Sequence, residues 1–222
     1  MTVPFVQKNT GTTVVAGVIN VAYSGAQTAG NLNVVCVWLL PASPQVTSVT
    51  DVQGNTYHLA FHLPDGGTTD GDIWVYYAYN IAAATAGVNV VHVAFSGTTS
   101  LDSVVVLEYT YTLGNVDALR IANGAINTGA AALPTVNLAN TVATDIIFAF
   151  ATSDNGQTAA ASGFTLRNAS SGCTASDANL AGGTVAAKSG TSDTPSNIIG
   201  CAFRTVLDKV SNGIFFGAGT TS

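Results

Sequence analysis

Charge is what this sequence has least of. Charged residues make up 8% of the chain, against about 25% in an ordinary domain. Eleven of the twelve acids are aspartate, Glu108 is the one glutamate, and Lys8, Lys188 and Lys209 are the only lysines. Solvent-facing helices draw on Glu, Lys, Gln and Arg, so there is little material here for a helical surface. The six basic residues, Lys8, Arg120, Arg167, Lys188, Arg204 and Lys209, are scattered, and the net charge is −6. A polyanion would find no basic patch, so no nucleic-acid partner is expected. Long hydrophobic runs are also missing: the longest nearly apolar stretch, residues 34–42, is too short to cross a bilayer, and no membrane span is expected. Residues 1–8 lack a charged segment followed by an apolar one. Export would then rely on a signal already removed or on another route, as for a virion protein released by lysis.

Cysteine is scarce and odd in number. Cys36 and Cys201 lie in apolar runs and Cys173 in a Ser/Gly-rich segment. A Cys173 to Cys201 disulfide and a set of buried thiols are both open, and no C-x-x-C metal spacing occurs.

What the chain does have is Val, Thr, Ile, Tyr and Phe in short runs broken by Gly, Asn, Asp and Ser. That is strand-and-turn composition, and it predicts an all-β, antiparallel β-sandwich, jelly-roll-like or Ig-like. Strands are predicted over residues 31–40, 46–52, 56–63, 73–79, 88–95, 103–111, 144–151, 198–203 and 213–217. In residues 56–63, Tyr57, Leu59, Phe61 and Leu63 alternate with Thr56, His58, Ala60 and His62, so the first set should face the core. Residues 46–52 and 56–63 flank Gln53-Gly54-Asn55 and read as a hairpin. Residues 31–40 and 146–150 are apolar on both faces, as in mid-sheet strands.

An internal repeat sets residues 29–38 against 143–150, residues 55–59 against 163–167 and residues 88–95 against 197–203, which suggests two pseudo-repeated halves sharing one core. No Pro- or Ser-rich linker divides the chain. It reads as a single domain over residues 1–222, with 1–10 an edge strand or arm and 170–196 a mobile loop.

Thr50-Asp51-Val52-Gln53-Gly54-Asn55-Thr56-Tyr57, the strand holding Trp74, and Gly87-Val88-Asn89-Val90-Val91-His92-Val93-Ala94-Phe95-Ser96 form a pattern that resembles β-sandwich domains of bacterial surface and phage structural proteins. The resemblance covers about two thirds of the chain and weakens after Pro134. It implies a sandwich fold and an extracellular, cell-surface or virion setting. It carries turn and core signatures and no catalytic residue.

Candidate chemistry is sparse. His58 and His62 lie on one face of a strand but about 13 Å apart, too far to clamp one metal. There is no G-x-S-x-G elbow, and a triad or carboxylate pair assembled from distant strands has no local signature. The Asp65, Asp70 and Asp72 loop is rich in oxygen ligands and is the candidate calcium site, with a plain solvated turn as the alternative. Trp74 and Tyr76 share a strand face. Exposed, they would make a platform for sugar rings or a neighbouring subunit; covered, they are core. Asn168-Ala169-Ser170 is a glycosylation sequon with meaning only in a secretory setting. Pro4 cannot donate in a ladder, so the segment holding Phe5 is either its own sheet's edge strand or an exchanged arm that Phe5 anchors in a neighbour.

The expected function is accordingly non-catalytic: a structural or adhesive subunit that self-assembles into a filament, surface layer or virion, as a homo-oligomer or polymer. The alternatives are a carbohydrate-binding module, with calcium or without, and a hydrolase with its site at loop ends.

Overall fold

The computed structural model describes residues 4–12, 14–15, 17–40, 45–65, 71–97, 102–127, 133–153, 159–170, 172–188 and 196–207. The strand expected over residues 213–217 lies outside them. No helix among the described residues is long and apolar enough to cross a membrane.

The first half of the chain runs through β1 (Phe5–Gly11), β2 (Val14–Val15), β3 (Val18–Ala22), β4 (Leu32–Leu39), β5 (Val46–Asp51), β6 (His58–Leu63), β7 (Asp72–Ala78), β8 (Val90–Phe95) and β9 (Asp102–Tyr109). The second half runs through β10 (Leu119–Asn127), β11 (Thr135–Thr141), β12 (Ile146–Ser153), β13 (Thr165–Ser170), β14 (Cys173–Ala178), β15 (Gly183–Lys188) and β16 (Ser196–Phe203). All pairings are antiparallel. Two five-stranded sheets, β1-β9-β4-β7-β6 and β10-β16-β12-β14-β13, form the centre, flanked by β2-β3-β8-β5 on one side and β11-β15 on the other.

These sheets stack in four layers because the central strands are apolar on both faces. In β4, Leu32, Val34 and Cys36 face a core shared with Ile146, Phe148 and Phe150 of β12. Val35, Val37 and Leu39 face the first outer sheet, against Ile19, Val91 and Val93. In β12, Ile147, Ala149 and Ala151 turn to Val136, Leu138 and Ala187 of the second outer sheet. Gly200 on β16 permits that last contact: a Cβ there would lie 2.7 Å from both Ala187 and Val136 side chains. The fold is therefore all-β, with two sandwich halves stacked through a common core.

The central sheets of the halves repeat one another strand for strand. The central orders correspond position by position, and the registers agree: Leu32 pairs with Tyr109 as Ile146 pairs with Phe203. The bulges are repeated as well, between Phe5 and Gln7 and between Leu119 and Ile121 on the first strand of each half, and between Leu59 and Phe61 and between Leu166 and Asn168 on β6 and β13. Asn9 and Asn123 each accept from the next residue's N–H while their amide nitrogens bridge to Ala22 and Asn137 carbonyls. The expected matches of β4 with β12 and of β6 with β13 hold. The third does not, since β16 corresponds to β9, and the counterpart of β8 is β15.

Three further expectations are corrected. Residues 46–52 and 56–63 are not a hairpin. β5 pairs with β8 and β6 with β7, so the turn at Gly54 (φ 74°) carries the chain from outer to central sheet. Asp51 holds that arch, accepting from the Asn55 N–H and amide and the Tyr57 hydroxyl. The alternation in β6 breaks at the bulge, leaving Leu59 51% exposed while Ala60, Phe61 and Leu63 pack on the shared core. The loop expected over residues 170–196 contains β14 and β15, and residues 189–195 lie outside the described part. Phe5 lies in β1, paired to β9 of its own sheet. Its ring meets Tyr109 edge-on at 5.7 Å under the Arg167 guanidinium of β13, and of the two expectations for this segment the chain shows the edge strand.

Cys36, Cys173 and Cys201 all lie in the shared core, none in a disulfide. Burial pushes the Cys36 and Cys201 thiols and the Tyr23, Tyr57 and Tyr109 hydroxyls well above their ordinary ranges. Unfolded, thiols and phenols ionise near about 8.5 and 10; above those values the unfolded chain holds fewer protons than the folded one, so stability present below about pH 8 is lost as pH rises. The melting temperature should fall steadily between about pH 9 and 11, and a value unchanged to the top of that window would contradict the burial of these groups.

Candidate functional site

The histidines are separated by the same bulge. His58 packs at 5.5 Å on Tyr77 and 5.6 Å on Tyr79, toward the shared core. His62 stacks on Trp74 at 4.4 Å and 4°, on the opposite face, and touches Asp72 at 3.3 Å. They do not share the face that alternation assigns them. His92 lies against Asn20 on the first outer sheet. Among the described residues, no group of three or more His, Cys, Asp or Glu is placed to hold a metal ion.

Trp74 is 3% exposed and belongs to the core between the first outer and central sheets, with the half-buried Tyr76 packed against it. The pair does share a face, but the outer sheet covers it, so it is no open platform. Asp65 and Asp72 are brought together at the base of their loop. Asp72 accepts from the Asp65 N–H at 2.8 Å, and Asp65 accepts from the Gly71 N–H at 3.1 Å. The other Asp72 oxygen meets the Gln45 amide at 3.0 Å. Asp70, the third candidate calcium ligand, lies outside the described residues.

The open site lies elsewhere, at the end of the first half where β7 leaves its sheet. A cleft of about 430 Å³ is lined by the Gly54–Asn55–Thr56 arch, by His58 and Tyr79, and by Asn80 and Asn115. Tyr79 extends an aromatic row: it lies 6.3 Å from Tyr77 at 23° and 5.6 Å from His58 at 17°, with Tyr111 against its edge at 6.4 Å. The row is anchored beneath, where the Tyr77 hydroxyl donates to Asp117 at 2.9 Å. Burial and that carboxylate push the Tyr77 hydroxyl up, and burial with Asp117 raises Tyr111 to about 12.

The amides around the row are fixed. Asn55 donates to Asp51 and accepts from the Ala82 N–H at 2.8 Å. Asn80 adopts φ 52°, a left-handed conformation that Asn tolerates better than most residues, and donates to Asn115 at 2.7 Å. Sequence reasoning passed over this site: Tyr79 ends the strand expected over residues 73–79, and Asn80 and Asn115 lie outside every expected strand. The one signal available was a ring immediately followed by an Asn suited to a left-handed turn.

Comparison with protein-family models, curated proteins and solved structures finds no match to this chain.

Proposed function

We propose that this chain is a non-catalytic structural or adhesive subunit of an extracellular or virion assembly. One observation carries the reading: charge, already scarce in the sequence, is drawn inward. Asp51, Glu108, Asp145 and Asp177 are buried, and Arg120 and Arg167 are spent as ion pairs on two of them, at 2.6 and 2.7 Å. Glu108 accepts from the Gln7 and Asn31 amides, both at 2.6 Å, as a structural tie among β1, β4 and β9. Among the described residues this takes charge away from the exterior, so little like-charge repulsion opposes side-by-side packing of copies. The resemblance to surface and phage structural domains supports the same reading.

Sedimentation velocity over a concentration series, at low and high salt, tests it. The expected mass rises with concentration and does not respond to salt, because salt screens only charge interactions. One species of monomer mass at every concentration overturns the proposal.

A further inference from the structure

We infer that the cleft beside Tyr79 binds a neutral saccharide, with a sugar ring laid along the Tyr79 and His58 rings and its hydroxyls met by the surrounding amides. This goes beyond the assembly reading and does not rest on it. It also concerns a different place from the covered Trp74 and Tyr76 face.

The lining chooses the ligand class. No carboxylate, ammonium or guanidinium group lines the cleft, so a phosphate, a carboxylate or a cationic ligand would lose its hydration without a counter-charge. The walls are amide, hydroxyl and backbone rather than aliphatic, which disfavours a purely apolar guest. Aromatic faces combined with convergent neutral donors and acceptors suit a molecule with one apolar face and a polar rim, which describes a pyranose. Among the described residues, the Tyr79 and Thr56 hydroxyls have no partner within the protein, so both remain to bond a ligand.

The site is also set in advance. Asn55 is held by Asp51 and Ala82, and Asn80 by Asn115, so binding would order few side chains.

The duplication supplies an internal control. In register, the second half carries Thr165 where the first has His58, because they pair with Asp177 and Tyr77 respectively. Two residues beyond those partners stand Asn179 and Tyr79. No aromatic row stands at those positions, and the nearby hollow lined by Ser162, Phe164 and Leu180 with Thr184 and Ala186 of β15 includes neither of them. The fold is therefore complete without the shelf, and packing alone does not account for it.

The experiment is saturation-transfer NMR on the full chain with glucose, galactose, mannose and N-acetylglucosamine, each as monomer and as linear oligomer, and with one sulfated oligosaccharide. Transfer to at least one neutral sugar is expected. The double variant His58→Thr, Tyr79→Asn places the second half's own residues in the first, so it should fold with little change in melting temperature. It should weaken binding by about tenfold or more. Asn80→Gly keeps the left-handed turn while deleting the amide, and should weaken binding without destabilising the chain. No transfer from any neutral sugar, transfer from the sulfated oligosaccharide alone, or binding indifferent to the double variant would each overturn the inference. These readouts concern ligand and not mass, so they succeed or fail separately from the sedimentation test.

Discussion

Replacing Phe148 by Ala should lower the stability of the whole chain by about 3 to 5 kcal/mol, the cost of emptying a close-packed aromatic site. Phe148 is fully buried in the core between the two central sheets and lies 6.5 Å from the Phe203 ring. Folded proteins keep only about 5 to 15 kcal/mol in total, so the urea midpoint should drop sharply with the slope of the transition retained. Because the shared core is structural to both halves, near-ultraviolet and far-ultraviolet signals should move together. A loss under about 1 kcal/mol would mean that the site collapses freely and is not close-packed, and two separated transitions would mean that the halves stand independently.

Asp177→Ala should cost about 3 kcal/mol or more, for a different reason. The Asp177 carboxylate is fully buried. It receives the Arg167 guanidinium at 2.7 and 2.9 Å and the Tyr109 hydroxyl at 2.9 Å. Removing one member of a buried pair leaves the other without compensation, and here it leaves a buried hydroxyl unsatisfied as well. The Arg167 side chain retains 18% exposure and can turn partly to water, which holds the loss to the lower end of the range for such pairs. Tyr109→Phe, which removes one hydrogen bond and keeps the ring, should cost only about 1 kcal/mol. An Asp177→Ala chain within about 0.5 kcal/mol of the parent in urea would show that the network contributes nothing net.

Strands with strong local signals are legible in the sequence. β4 and β12 declare themselves because they are apolar on both faces, and their four-layer setting is the physical cause. β14 has the composition of a loop because Cys173-Thr174-Ala175-Ser176-Asp177-Ala178 is small and polar. It is nevertheless buried throughout, since Arg167 and Tyr109 satisfy its carboxylate from other strands. The arch at Gly54 has the composition of a hairpin turn, and only the remote partners β7 and β8 separate the two. A bulge leaves no mark in the alternation of His58-Leu59-Ala60-Phe61, so Leu59 was turned inward and the two histidines were placed together.

The candidate site followed the same logic. Period-two alternation puts Trp74 and Tyr76 on one face correctly, but that this face is covered depends on β3 and β8, strands of another sheet with which β7 does not pair. The cleft joins residues 54–58, 79–80 and 115 from three separate loops, a proximity that only the assembled sheet creates.

The correspondence between halves has a consequence for how they recognise each other. Tyr77 meets Phe203 across the shared core at 5.7 Å, and the pair in the equivalent place is Asp177 with Tyr109. The shared core thus has the reciprocal form of a two-fold interface within one chain, in which the two members of each equivalent contact differ. Two copies of the second half, brought together in the same way, would set Phe203 against the Asp177 carboxylate, with a hydrocarbon edge where the Tyr109 hydroxyl now donates. Each half is thereby fitted to the other in preference to its own twin, and this mismatch disfavours the pairing of like halves from neighbouring chains through this face.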